Sequence, residues 1–390
     1  MRKLLMAPAL LAAALAGAAT RLVQDQCGPF TDVTPQICPF VLEMYYLGIT
    51  AGTSPTTYSP DNPVTRGQAA VFVSKGVDQA LARSSRRAAL GQWWEPSSEA
   101  ALGMTSVGSG LLAAAASDGA DVWVTDYDNG TVSRVRASDG RLLETWTGAD
   151  HGGAVLVAMG RVFVAGATQP GKLYMLDPSQ PAGAVTTVAS NLGDLPSWIA
   201  FDGARTWTAN SGAYVTLSTV SIVEPAASTP WSVTTVGPYS NQEIQGIAFD
   251  GTNMWLSHFG GSDLLRLDAN GGVLQSVPLG AYPRQAVFDG ANLWVPLLPT
   301  NSQGGSLAVV SVATGNVLAT LTGNGLDNPI AAAFDGARVL VSNYPASVSI
   351  WRAADLSALG TVAMTSGTSR PCSDGVSFWL PRSDGRLARF

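Results

Sequence analysis

The side chains best able to do chemistry recur at one place in the sequence. Counting eight residues on from Asp118, Asp202, Asp250, Asp289, Asp335 and Asp374, each followed by Gly, reaches Asp126, Asn210, His258, Leu297, Asn343 and Arg382. A shortened copy at Met159 and Gly160 gives Gly166 as its counterpart. Acid, amide, imidazole and guanidinium at one repeated position suit a binding face. The oxygens of Asp126, Asn210 and Asn343 are hard ligands of the kind that Ca2+ or Mg2+ takes. The competing reading is structural, because Asn and Asp at strand ends routinely bond nearby backbone. The sequence contains no G-x-S-x-G nucleophile elbow, no phosphate loop and no close Cys or His cluster. A Ser-His-Asp set scattered along the chain stays open, since its members need not be neighbours in sequence.

What positions these residues is a repeat, clearest in residues 244–280. IAFD and MWLSH are short apolar runs split by Asp-Gly, which tolerates the positive φ of a tight hairpin. LLRLDA and VLQSVPL follow, so four antiparallel strands are expected per repeat. An aromatic residue stands fifth after the Asp at Trp123, Trp207, Trp255, Trp294 and Trp379, with Leu340 in one copy and Phe163 in the shortened one. Asp118 and Asp374 bound repeats of about 43 residues each, the length of propeller blades. Seven blades result. The fifth-position residue lies on the second strand, where its apolar surface is expected to fill the gap between blades, with ligand stacking as the alternative. After Trp379 the chain holds a second and third strand but no fourth. Residues 100–107 are available as that outer strand, which would close the ring and hide its edges.

In a propeller the loop after the second strand and the loop entering the first share a face. The entering loops add His151, Trp198, Glu243, Gln245, Arg284, Gln285 and Arg370 to the eighth-position ring. This mouth is the candidate binding face.

The 390 residues are 46% hydrophobic and 13% charged, too apolar and patterned for disorder and enough for a large core plus a small extra domain. Net charge is −6 and no dense basic run exists, which argues against a nucleic-acid groove. Residues 1–20 read as a cleaved export signal: Arg2 and Lys3, an apolar run too short for a membrane span, then Ala-x-Ala patterns. No transmembrane anchor is expected to remain after cleavage. Export leaves a Cys27–Cys38 disulfide and separate thiols as alternatives, and Cys372 reads as a buried small side chain.

Residues 27–81 form a separate unit. Phe40, Val41, Met44, Tyr45 and Leu47 have helical spacing, and Thr65 is placed to cap a second helix. Phe30-Thr31-Asp32-Val33, Leu47-Gly48-Ile49-Thr50-Ala51-Gly52, Tyr58-Ser59-Pro60 and Val64-Thr65-Arg66-Gly67-Gln68 follow one another in a pattern that resembles the S-layer homology domain. The resemblance covers one repeat, and Gly67-Gln68 replaces the more usual Ala-Glu. It implies a small α-helical module that holds a cell-wall polysaccharide or peptidoglycan-linked polymer, with Thr65 and Arg66 prominent. Arg66 offers a fork of donors suited to a carboxylate-bearing glycan; the bland alternative is a surface Arg paired with a carboxylate. Residues 82–99, with Arg83, Arg86, Arg87, Trp93 and Trp94, read as a linker.

The propeller of residues 100–390 resembles the broad group of NHL-type repeats, streptogramin lyases and gluconolactonase-like lactone hydrolases. In the lyases a histidine pair, an acid and Mg2+ act together, whereas His151 and His258 fall in non-adjacent blades. In the lactone hydrolases oxygens from several blades hold a divalent ion, which implies Asp126, Asn210 and Asn343, although the ring has no Glu. The expected fold is thus an all-β seven-bladed propeller with a small N-terminal α-helical S-layer-homology-like module. The expected protein is exported, in the cell envelope or outside it, and non-enzymatic, presenting a face for a protein or glycan ligand built from Asp126, Asn210, His258, Arg284, Asn343 and Arg382. The alternative is a metal-dependent lactone hydrolase or lyase at the same mouth.

Overall fold

The computed structural model describes residues 27, 29–34, 37–46, 49–83, 103–212, 217–240, 243–300 and 304–390. The export signal and most of the linker, including Trp93 and Trp94, lie outside the described residues. The chain divides into two compact units, residues 1–93 and 94–390.

The second unit is built on a hairpin that the Asp-Gly pair closes. In blade four, Asp250 Oδ1 accepts the backbone N–H groups of Thr252 and Asn253 at 2.8 and 2.7 Å, while Oδ2 accepts Trp255 Nε1–H at 2.7 Å. Gly251 follows at φ 93°, a left-handed conformation that any Cβ would strain. One carboxylate therefore sets the turn and fixes the Trp rotamer on the next strand. The same clip joins Asp118 to Trp123, Asp202 to Trp207, Asp289 to Trp294 and Asp374 to Trp379. Where Leu340 replaces Trp, Asp335 Oδ2 takes Arg338 Nε instead, at 2.8 Å. Where Phe163 stands there is no indole N–H to satisfy, and Met159-Gly160 makes the turn with both residues at positive φ.

Seven antiparallel sheets follow, four strands in six of them and a divided first strand in blade five. The first strands are Leu112–Ser117, Gly152–Ala158, Pro196–Phe201, Ile244–Phe249, Tyr282–Pro283 with Val287–Phe288, Pro329–Phe334, and Cys372–Ser373. Each lies beside the next, and the seventh lies beside the first, so the sheets form a closed ring. Met104–Ser106 supplies the outer strand of blade seven, pairing Met104 with Ala388, Thr105 with Leu387 and Ser106 with Arg386. Both ends of the propeller segment thus build one blade, as its strand count required.

The core lies between blades. Trp123 packs with Val155, Val162 and Tyr174 of blade two, Phe163 with Val223 and Trp231 of blade three, and Trp207 with Ile247 and Leu256 of blade four. Trp255, Trp294, Leu340 and Trp379 continue this into blades five, six, seven and one. The fifth-position residue is interblade packing throughout. Cys372 sits between blades seven and one, where burial pushes its thiol pKa up and keeps it protonated.

In the first unit, helix α1 (Cys38–Tyr46) and helix α2 (Arg66–Arg83) flank a turn-rich segment. Cys27 and Cys38 form a disulfide, which settles the alternative that their spacing left open. The bridge packs with Phe30 and Val41. Asp32 accepts the N–H groups of Tyr58 and Ser59 at 2.8 and 2.7 Å, tying the first motif to the third and holding its carboxyl below the usual range.

Asp289→Ala removes the acceptor of Ala291 N–H, Asn292 N–H and Trp294 Nε1–H, and is expected to lower propeller stability by about 2–3 kcal/mol in denaturant titration. Combined with Trp294→Phe, the loss should fall short of the sum of the single losses by at least about 0.5 kcal/mol, because the two residues share one bond. Strict additivity would show that the carboxylate and the indole act independently.

Candidate functional site

The eighth-position residues do occupy one end of the blades. Leu112 pairs with Asp126, Gly152 with Gly166, Pro196 with Asn210, Ile244 with His258, Pro283 with Leu297, Pro329 with Asn343 and Thr368 with Arg382. Second-strand ends and first-strand beginnings therefore share the mouth face. The side chains, however, turn into their own blades. Asp126, Asn210, His258, Leu297, Asn343 and Arg382 are each at most 9% exposed.

Their bonds are local. Asp126 accepts the backbone N–H groups of Gly110 and Asn129, both at 3.1 Å, and Asn129 Nδ2–H at 2.8 Å. Asn210 accepts Thr208 Oγ1–H at 2.9 Å and donates to Thr219 and Ser221 hydroxyls at 3.0 and 2.9 Å. Asn343 donates to Ser349 Oγ at 2.9 Å. Arg382 donates to Ser366, Thr365 and Asp384 at 3.0, 2.8 and 2.9 Å. His258 Nδ1 lies 2.6 Å from Asp263 Oδ1, and Ser276 donates to the other oxygen of Asp263. A divalent ion shared by Asp126, Asn210 and Asn343 would have to displace the bonds that Asp126 and Asn210 accept in blades one and three, although the buried Oδ1 of Asn343 has no partner among the described residues; as placed, the three do not fit a shared metal centre.

The entering loops behave differently. The first strands of blades one, two, three, four and six shift register as they begin, between Leu112 and Ala114, Gly152 and Ala154, Pro196 and Trp198, Ile244 and Ile247, and Pro329 and Ala331. A residue bulged from a strand leaves its carbonyl unpaired by the ladder. Blade seven satisfies three of these: Ser369 Oγ donates to Ala113 O, and Arg370 Nη1 donates to Gly153 O and, at 2.7 Å, to Ser197 O. Arg370 so reaches from blade seven to blades two and three, with Cζ 3.6 Å from the Trp198 ring centre. Its other N–H donors have no protein partner among the described residues.

Arg284 enters from blade five. Its Cζ stands 5.0 Å over the Phe259 ring, Nη1 donates to Gln245 Oε1 at 3.3 Å, and buried Nε has no partner. Gln245 in turn donates to exposed Glu243. Phe259 and Tyr282 stack at 4.7 Å between ring centres. Exposed His151 sets its ring edge-on to Tyr127 at 5.1 Å. Gln285 is structural, its amide pairing with both backbone groups of Ile247 at 3.0 Å.

Electrostatics distinguish this pair. Among the described residues neither Arg284 nor Arg370 forms an ion pair, whereas Arg134, Arg205, Arg338 and Arg386 each do. Desolvation, followed by the charge of Arg284, pushes the Arg370 pKa down to about 9, with Tyr127 opposing. Desolvation lowers Arg284 too, and Glu243 partly restores it. A cation whose folded pKa is lowered costs stability below that pKa. Both charges are held against their preference at neutral pH.

In the N-terminal unit Thr65 caps α2 in a reciprocal box: its hydroxyl accepts Gln68 N–H at 3.2 Å, and Gln68 Oε1 accepts Thr65 N–H at 2.9 Å. Gln68 thus does here what Glu does in such boxes. Arg66 is exposed, with no ion pair among the described residues. Beside them lies a cleft of about 610 Å³ lined by Tyr58, Asn62, Gln68, Val71, Phe72 and Lys75 among others. Neither Thr65 nor Arg66 lines it.

Sequence reasoning missed the Phe259–Tyr282 stack, Asp263 and Lys75. The first had a signal: Phe259 directly follows His258, and Tyr282 is two residues before Arg284.

The S-layer homology domain matches residues 29–70, which points to cell-surface association. No curated protein matches the sequence. Among solved structures, Kuenenia stuttgartiensis hydrazine synthase is 16% identical, covering 73% of this chain and 96% of that one, with a TM-score of 0.59. Virginiamycin B lyase from Staphylococcus aureus is 12% identical over 73% and 97% of the two chains, with a TM-score of 0.59. A streptogramin B lyase is 15% identical over 72% and 93%, with a TM-score of 0.58. At these identities the likeness is one of fold.

The two classes of mouth residue should separate on substitution. Asn210→Ala strands three hydroxyls and is expected to cost about 2 kcal/mol in denaturant titration, whereas Arg284→Ala should change stability by less than about 1 kcal/mol. The reverse order would make Arg284 a structural residue and Asn210 a free one.

Proposed function

We propose that this is an exported, envelope-associated binding protein: the N-terminal module holds a cell-wall polymer and the propeller presents its channel mouth to a glycan or protein. The observation that carries the propeller half is the pair Arg284 and Arg370, two partly buried guanidiniums at the mouth without a carboxylate partner among the described residues. A fold retains buried unpaired charge at a cost, and such groups cluster where ligands bind. Nothing in this arrangement requires bond making or breaking; complementary shape and charge suffice.

The wall half rests on the S-layer homology match, whose family binds cell-wall polymers, and on the exposed Arg66 next to the cleft. Cleavage near residue 20 would release the protein from the export machinery. Among the described residues no helix is long and apolar enough to cross a membrane. The Asp32 bonds that shape the module need an ionised carboxylate. Because that pKa is lowered on folding, their stabilisation is present above the ordinary carboxylate pKa and is lost as pH falls through the folded value.

Co-sedimentation with isolated cell-wall material tests the wall half. The full mature chain should pellet, a chain lacking residues 27–83 should stay in solution, and Arg66→Ala should bind at least about threefold more weakly through loss of its charge-assisted fork. Equal pelleting by the deleted chain would place wall affinity elsewhere; unchanged binding of Arg66→Ala would remove that residue from recognition.

A further inference from the structure

We infer that the channel mouth is a receptor for the carboxylate of an acidic sugar, held between Arg284 and Arg370 with its ring against the Phe259–Tyr282 stack. The inference rests on the reading of the propeller mouth as a binding face and names the chemistry of what it takes.

The charge comes first. The charge of Arg284 disfavours that of Arg370, with Tyr127 opposing, and exposed Glu243 favours the charge of Arg284. Two cations tempered by one exposed acid leave about one net positive charge, which suits a monoanion better than a dianion. The donors agree. Arg370 uses Nη1 on two bulge carbonyls, which fixes the plane of its fork against the Trp198 face. Nε of Arg284 is buried and has no acceptor among the described residues, and Arg370 bonds through Nη1 alone. Trp198, 4% exposed, also has an unpartnered Nε1–H beneath Arg370. Buried donors without acceptors are rare because each costs stability, and two of them, Arg284 Nε and Trp198 Nε1, belong to the mouth. A planar guanidinium matches a carboxylate with two parallel bonds, a fit that a point charge lacks.

The aromatic pair selects the body that carries the carboxylate. Phe259 and Tyr282 are partly exposed, stacked, and bordered by Arg284 and Gln245. A flat apolar face rimmed with polar groups suits a ring that has one apolar face and a rim of hydroxyls, which is the shape of a sugar. A peptide carboxylate would need a groove for extended backbone, and the bulge carbonyls that line the approach from blades one to three are already taken by Ser369 and Arg370.

Isothermal titration of the full mature chain decides it, with galacturonate, galactose, inorganic phosphate and a triglutamate peptide as probes. Saturable binding of galacturonate is expected, with galactose and phosphate each at least about tenfold weaker. Arg284→Met should reduce galacturonate binding by about tenfold, and Arg284→Lys should restore only part of it, since Lys keeps the charge without the fork. Arg284 is chosen because Arg370 also ties three blades together. Phosphate or triglutamate bound in place of galacturonate would overturn the assignment to a sugar carboxylate. Galactose bound as well as galacturonate, and lost in Tyr282→Ala, would overturn the carboxylate and keep the binding face. Silence toward every probe would overturn both.

Discussion

The propeller depends on one bond repeated round the ring, from an Asp carboxylate to an indole N–H five residues later. A Trp buried between two sheets carries a polar atom that must be satisfied, and the nearest element able to do so is the hairpin that precedes it. The Asp that bends the chain is thus the Asp that makes the Trp buriable. The exceptions obey the same requirement. Phe163 has no N–H and its turn has no Asp; Leu340 has no N–H and its Asp335 holds Arg338 instead. Local turn chemistry and long-range packing point to one structure, which is the mark of a sequence that specifies its fold.

At the channel mouth the second-strand ends are tied into their own blades, and the ties between blades lie where the first strands start. There the register shifts turn carbonyls of Ala113, Gly153 and Ser197 out of the ladder, and blade seven, the blade made from both chain ends, answers them with Ser369 and Arg370. Closure and mouth are therefore one construction. Arg370 fixes three blades with two donors and keeps the others for something else, and Arg284, held only by Gln245 and an aromatic face, has still less structural work.

Much of this was legible in the sequence. The spacing of Asp118 to Asp374 gave the blade count, the short tail after Trp379 gave the shared blade, and the Thr65–Gln68 spacing gave the cap of α2. Position was legible for the eighth residues too, since each pairs with the start of its first strand. Their direction was not. Whether Asn210 faces the channel or its own sheet turns on Thr219 and Ser221, which sit opposite it only once the third strand is in register. Mouth residues such as Arg284 were visible as polar groups in the right loops, but their missing counter-charges are a property of the folded ring. Glu243 lies two residues from Gln245, and nothing in the spacing tells that it stops at the amide and leaves the guanidinium unpaired.

The most direct test of an anion-receptive mouth is a crystal structure of the mature chain grown with galacturonate. The account predicts a carboxylate within about 2.7–3.2 Å of nitrogen atoms of both Arg284 and Arg370, with the sugar ring over Tyr282. Arg284 turned onto Glu243 in a mouth without ligand would contradict it.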